Sequence, residues 1–522
     1  MSTPEDEEPT ASAVQLTHLG GPSLGSEPLI EADEVAAVLG SREAGGAAMR
    51  GGALRVAGYI VNAAMGALSA AFMFRHLGTA VGTYVTALAI AAVVAGLSDL
   101  GLTALGLREL SVRDAPGRAA LMRNLLGLRM ALTLLGIAGS VSFAVAVGYD
   151  SVLVAGVALA GAGLMLQNIQ ATLAVSLMAR LKLGLVTATE VGSQVLNAAL
   201  TIALVLVGAG VLYFIGIAIP LGIIFVAITA WLVRHEVPLV PRFDRAEWRT
   251  LAREVLPYSA AVALAVIYFR LSVIVVSLTA SAVQLSYFGA SFRILEVLII
   301  IPGLMVTGVF PIFARSARDD QERFAYAVSR VFAVALIVGL WFTIAVAIGA
   351  PFAIRVIGGP AFAPAAGVLQ IQAFGLGGSF ISAVWGMTLL SLRRNRQLVM
   401  VNLAGLVLGT ILVIALTSAY GAEGAAAGTA ITEVLLAASV PLVLLRTDRH
   451  VVPAMGVVPR VLLAAAIAGT VALIPGLPAV AGAILASLVY FAALMVMKAV
   501  PEEIFVEVRK VAGSLRGRPA GA

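Results

Sequence analysis

The sequence predicts an all-α polytopic membrane protein with about 14 transmembrane helices, and three observations predict it. Of its 522 residues, 60% are hydrophobic and 12% charged, with a mean hydropathy of +1.02; a soluble domain carries about 25% charged residues. Apolar runs recur at about 20 residues, the length that crosses a bilayer at 1.5 Å rise per residue. Arginines gather in every other loop, the pattern of basic loops held on the cytoplasmic side.

Taken in order, the chain opens with "MSTPEDEEPTASAVQLTHLGGPSLGSEPLIEADE", acidic and rich in Pro, Gly, Ser and Ala. Such a segment buries too little apolar surface to offset its ordering entropy, so residues 1–50 are expected to form a disordered cytoplasmic tail. Glu5, Asp6, Glu7 and Glu8 stand where a signal peptide carries basic residues. Fourteen apolar runs follow, near residues 53–74, 80–106, 122–147, 151–178, 184–207, 210–233, 254–279, 284–313, 325–349, 362–390, 397–418, 424–445, 452–474 and 478–499. The tenth is interrupted by "FGLGGSF".

The loops fix the register of these runs. "RELSVRDAPGRAALMR", "ARLK", "RHEVPLVPRFDRAEWRTLAR", "RSARDDQER", "LRRNRQ" and "RTDRH" are basic. The loops between them, "GYD", "GAG", "TASAVQ", "PFAIRVIGGPAF", "AYGAE" and "PGLP", hold one arginine, Arg355, and Arg75 lies by the first outer loop. This alternation puts both termini in the cytoplasm and requires an even number of spans. The long basic loop after the sixth run carries Pro238 and Pro241. It divides the chain into a six-helix lobe (51–234), a linker (235–253), a second six-helix lobe (254–446), two additional helices (447–500) and a cytoplasmic tail (501–522).

Composition also excludes functions. Cysteine is absent, which removes disulfides, thiolate metal sites and cysteine nucleophiles. His18, His76, His235 and His450 show no metal-ligand spacing, so neither a metal nor a cofactor is expected. No Walker motif and no sizeable catalytic loop is present, which argues against an enzyme. The net charge of +6 belongs to membrane topology and not to nucleic-acid binding. Fourteen spans with charges inside the apolar runs point to transport.

Two of those charges are Arg270 and Arg293. Each stands nine residues from the turn that joins the seventh and eighth runs, so both start at one depth, about 13 Å of helix from the outer end. An arginine cannot shed its charge, and one at a bilayer centre costs roughly 2.5–3.5 kcal/mol on insertion scales. Two planar donor groups in a cavity suit a phosphate or diphosphate. A structural alternative stays open: Glu296, three residues after Arg293, neutralises it along the helix, and Arg270 extends to the outer interface. No acid lies within a turn of Arg270. Glu190, Gln194 and Asn197 share one face of the fifth run and are candidates for cavity lining or ion coupling, as are Glu296 in the eighth and Glu433 in the twelfth. Asp99, near Arg108 and Glu109, reads as a structural group, and one of Gln167, Asn168 and Gln170 is expected to face inward. "GAEGAAAGTA" fits close helix packing.

Several segments resemble the lipid-linked oligosaccharide flippases (Wzx-type polysaccharide biosynthesis transporters). "RHLGTAVGTYVTALAIAAVVAGLSDLGLTALGLREL" is similar to their opening, with a "G.y" turn and a second span ending in "D.Gl". "YFGASFRILEVLIIIPGLMVTGVFPIFAR" resembles their eighth span, "IRVIGGPAFAPAAGVLQIQAF" the outer loop and tenth span, and "GAEGAAAGTAITE" the twelfth. The resemblance covers most of residues 53–446. It implies the multidrug/oligosaccharidyl-lipid/polysaccharide exporter fold, with two six-helix lobes about a cationic cavity that opens alternately to each side. It also implies an undecaprenyl-diphosphate-linked glycan as substrate, its diphosphate on Arg270 and Arg293, with Arg75 and Arg355 as outer-gate cations. A polysaccharide polymerase or glycosyltransferases are the implied partners, with Na⁺ or H⁺ as the coupling ion. Where many relatives carry an acid after the seventh-span arginine this chain has Ser272, which moves coupling to Glu190 and Glu433. A multidrug–cation antiporter on the same fold and a non-transporting scaffold for polysaccharide enzymes are the alternatives.

Overall fold

A computed structural model describes residues 42–500 apart from 181, 236 and 454. The expected tails lie outside the described residues, over 1–41 at one end and 501–522 at the other. The described residues are mostly helical, with no strand among them.

The first long helix, α1 (Arg42–Leu77), starts ahead of its apolar run and ends at a 3₁₀ turn, Gly78–Ala80. The second run is split in two, α2 (Val81–Asp99) and α3 (Leu102–Val112), because Leu100 and Gly101 both take positive φ. There follow α4 (Ala115–Ala146), α5 (Ser151–Ala179), α6 (Leu183–Leu206) and the sixth run as α7 (Val211–Gly216) plus α8 (Ala218–Val233). Aspartates cap α4 and α5, since Asp114 accepts from Gly117 N and Asp150 from Leu153 N.

Beyond the linker come α9 (Arg245–Thr279), α10 (Ala282–Leu298), α11 (Ile300–Asp319), α12 (Gln321–Gly358) and α13 (Ala365–Ser391). The expected loop "RSARDDQER" is almost wholly helix, and the chain turns there at Asp320, whose side chain caps α12. A single 53-residue stretch, α14 (Asn395–Thr447), contains the eleventh and twelfth runs and breaks at Gly421 (φ 59°). Only glycine adopts that conformation at little cost, so the break sits there. The last two are α15 (Val457–Gly469) and α16 (Ala479–Val496).

Among the described residues, ten helical stretches are long and apolar enough to cross a membrane, against the fourteen runs expected. Two of the ten, Val61–Leu110 and Asn395–Thr447, are 50 and 53 residues long and each takes in two expected runs. Val266–Thr279 and Val457–Leu473 are apolar but shorter.

The linker is strapped onto the first half of the chain. Arg242 N donates to Arg123 O at 2.9 Å, and Glu247 at the start of α9 meets Arg113 and Asn124. Small residues bring the helices together as the "GAEGAAAGTA" run anticipates: Ala422, Ala425 and Ala426 are fully buried. The end of the bundle carrying the arginine-rich connections is termed the basic end, and the opposite one the far end.

Candidate functional site

A guanidinium inside an apolar bundle must find acceptors, and the chain solves this in two ways. Arg129 on α4, which the apolar periodicity of its run concealed, is one case. Its Nη2 lies 2.7 Å from Asp99 Oδ1, and Nη1 donates to Thr103 and Thr172. Asp99 also accepts from Gly101 N and Thr103 Oγ1, so one carboxylate holds the α2–α3 break and the arginine together. Arg108, by contrast, pairs with Glu109. Asn168 is the inward-facing amide of its helix: it is buried and donates to Ser98 and Thr133. One cation meets one anion, two hydroxyls accept from Nη1, and the buried Nε has no partner among the described residues.

The second case is not balanced. Arg270 on α9 and Arg293 on α10 are brought together as their common depth predicts, and Glu296 lies between them. Its Oε1 accepts from Arg270 Nη2 and its Oε2 from Arg293 Nη1, the latter at 2.7 Å. Arg270 therefore has an acid partner, on the neighbouring helix and not within its own turn. Two guanidinium groups share one carboxylate, which leaves one positive charge in excess. Arg270 also lies over the rings of Phe269 and Phe292, with centroid distances of 5.6 and 5.9 Å, a further attraction for a cation.

Beside this cluster is a cavity of about 160 Å³ lined by Phe74, Tyr84, Arg270, Phe292, Arg293 and Glu296, among others. Phe74 comes from α1 and Tyr84 from α2, so both halves of the chain contribute. A further helix, α6, comes near Arg293 at Gly66 of α1. A Cβ there would stand 3.5 Å from Gln194 Nε2 and 3.9 Å from Arg293 Nη2. The bare glycine thus lets Gln194 of α6 and Arg293 of α10 converge on one spot. Of the polar face on α6, Gln194 joins the cluster; Glu190 is exposed one turn towards the basic end, and Asn197 is half-buried one turn away from it.

Glu433 belongs to a different cavity. It faces a space of about 40 Å³ between α9, α10, α13 and α14, with Tyr268, Ser272, Gln372 and Ser379, room for roughly three waters or one small ion. Glu433 is within hydrogen-bonding reach of Tyr268 and Ser379. Gln372, which the sequence pattern did not single out, is 1% exposed, and neither of its amide atoms has a protein partner. Phe292 borders both cavities and separates Glu433 from the arginines.

The far end is bridged between the two halves of the chain. Arg75 Nη2 donates to Val356 O at 2.7 Å and to Arg355 O at 3.2 Å, the last carbonyls of α12. That terminus carries the negative end of the helix dipole. Of the two expected gate cations, Arg75 makes the bridge with its side chain; Arg355 contributes its carbonyl while its own side chain is exposed. Ser286 on α10 accepts from Gly82 N at 3.2 Å and lies 2.7 Å from Thr79 O. Phe74 stacks on Phe362 at 6.5 Å.

This architecture has counterparts among known proteins. The model of a family described as polysaccharide biosynthesis protein matches residues 79–367. No curated protein matches by sequence. Among solved structures, the lipid II flippase MurJ in an inward closed conformation is similar with a TM-score of 0.69 at 12% identity, covering 87% of this chain and 99% of that one. An inward-facing multidrug resistance MATE family transporter of the MOP superfamily gives 0.57 at 15% identity, over 76% of this chain and 99% of the other. The MATE multidrug transporter DinF-BH gives 0.55 at 18%, over 76% and 95%.

The bridge at Arg75 makes a prediction that the absence of natural cysteines renders simple to test. Ala290 of α10 is fully buried in the cluster containing Phe74 and Phe362. In an Ala290→Cys background, Arg75→Ala is expected to speed maleimide labelling by about tenfold, the effect of losing a charged hydrogen bond. Unchanged labelling would mean that Arg75 does not hold the far end shut.

Proposed function

The chain belongs to the polysaccharide biosynthesis protein family, and from that premise we propose that it is a flippase for an undecaprenyl-diphosphate-linked oligosaccharide. It carries this lipid across the bacterial cytoplasmic membrane by alternating access, for cell-surface polysaccharide. The reading rests above all on the excess cation at mid-depth, Arg270 and Arg293 sharing Glu296 beside an open cavity. Taking a diphosphate through a low-dielectric interior is prohibitive unless cations travel with it or wait for it. Arginine's planar fork suits phosphate oxygens. The fold shared with a protein named as a lipid II flippase supports a lipid-linked glycan as cargo.

In this reading the basic end faces the cytoplasm, where glycosyltransferases assemble the glycan, and a polymerase receives it outside. With the far end bridged by Arg75, the cargo enters from the cytoplasmic side. Its diphosphate settles on Arg270 and Arg293, its sugars lie along Gln194, Glu190 and Asn197, and its polyprenyl tail stays in lipid. Breaking the Arg75 bridge to α12 then opens the outer side. An inside-negative potential favours exit of an anion by about 2.3 kcal/mol per charge per 100 mV. We assign Na⁺ or H⁺ coupling to Glu433, because its enclosed cavity also holds the unpartnered amide of Gln372.

That same cavity favours a second reading. A carboxylate among Tyr268, Phe269 and Phe292 would attract a cationic drug, as a multidrug–cation antiporter requires, once the space of about 40 Å³ widens to admit it. Lipid extracts from a depleted strain separate the two. Mass spectrometry is expected to find a polyprenyl-diphosphate oligosaccharide accumulating, cleared by the wild-type chain and not by a well-expressed Arg270→Ala variant. Clearance by both returns Arg270 to a structural role, and no accumulation while the polymer is still made favours the antiporter. Glu433→Gln is expected to export without response to an imposed sodium or proton gradient; a response equal to that of the wild type removes Glu433 from coupling.

A further inference from the structure

We propose that Glu296 is a built-in stand-in for the cargo's diphosphate, occupying the guanidinium faces that an arriving anion takes and yielding them when it binds. This rests on the reading of Arg270 and Arg293 as the diphosphate site. The geometry points to it because the carboxylate does not serve one arginine alone. Each of its oxygens accepts from a different guanidinium, one on α9 and one on α10. A diphosphate bridging two arginines presents acceptor oxygens to the same two donors, on a larger frame. The cavity that would receive it opens beside Glu296 itself.

Charge makes the two occupants exclusive. The empty cluster carries two positive charges and one negative, a sum of plus one. A diphosphate diester adds two negative charges. If Glu296 kept its place, the carboxylate and the phosphates would crowd the same donors, and like charges at such range repel. With Glu296 turned away, two guanidinium groups face two phosphates and the site balances.

Both arginines have other supports while this happens. Arg270 remains over the rings of Phe269 and Phe292. Arg293 remains near Gln194 at the space left open by Gly66. In the empty carrier, Glu296 keeps the two cations from repelling each other. On the release side it competes for them again and speeds departure. The residue therefore lowers affinity for cargo and raises turnover, which a simple counter-ion would not do.

The test uses the purified full chain in detergent, with farnesyl diphosphate as the probe, titrated against wild type, Glu296→Gln and Arg293→Gln. Glu296→Gln is expected to bind the probe about tenfold more tightly than wild type, because a charged hydrogen-bonded competitor has been removed. Its unliganded thermal midpoint should fall and its rise on adding probe should exceed that of wild type. Export in the depleted strain should drop despite the tighter binding. Should Glu296→Gln fail to fold, Glu296→Asp, which keeps the charge but is too short to span both arginines, is expected to bind more tightly than wild type. Equal or weaker binding in the folded Glu296 variants, with binding lost in Arg293→Gln, overturns this proposal and leaves the diphosphate site standing. No binding by wild type or any variant overturns both.

Discussion

A guanidinium cannot give up its charge inside a bilayer, and much of this structure is the consequence of that constraint. Arg129 and Asp99 answer it by one-to-one matching of charge, with Thr103 and Thr172 accepting from Nη1. Such a pair cements α2, α3, α4 and α5 and leaves no net charge to attract an anion. Arg270 and Arg293 answer it with one carboxylate between them. That arrangement is self-consistent when empty and still able to attract an anion. The difference between one-to-one and two-to-one pairing is what separates the structural ion pair from the proposed site.

The surroundings follow from the same need. A cation with excess charge must face a cavity, and the cavity needs walls from both halves of the chain. α1 and α2 supply Phe74 and Tyr84, α9 and α10 the arginines, and α6 sends Gln194 across the bare backbone of Gly66. Phe292 walls off the second cavity, so the carboxylate of Glu433 cannot neutralise the arginines. At the far end the seal again uses a cation, but Arg75 grips only main-chain carbonyls. Partial charges make a weaker hold than a carboxylate, which suits a contact that the proposed transport cycle has to break.

Much of the fold was legible because it depends on local pattern. Helix-length apolar runs predict a helical membrane protein, and counting residues from the turn puts Arg270 and Arg293 at one depth. Partners on other helices were not legible. Arg129 sits in a run whose apolar neighbours conceal it, and its acid is a helix away. The sequence spacing linked Glu296 to Arg293 alone, whereas in three dimensions it also reaches Arg270 across the turn between α9 and α10. Arg75 finds its acceptors 280 and 281 residues away, on backbone atoms that no side-chain motif records. Tyr84 was visible within the "G.y" turn, yet only packing reveals that it lines the arginine cavity. The bend at Leu100–Gly101 was concealed for a related reason, since it does not break the hydropathy of its run, whereas the break at Gly421 falls in the expected loop "AYGAE".

Native mass spectrometry of the gently purified full chain tests the central claim most directly, by asking what the arginine pair holds. The expected result is a bound lipid whose fragments include a polyprenyl diphosphate bearing sugars. This lipid is expected to be lost from a folded Arg270→Ala/Arg293→Ala double variant. A wild-type chain carrying no such lipid, or a double variant carrying as much of it, would contradict the assignment of these two arginines to the diphosphate.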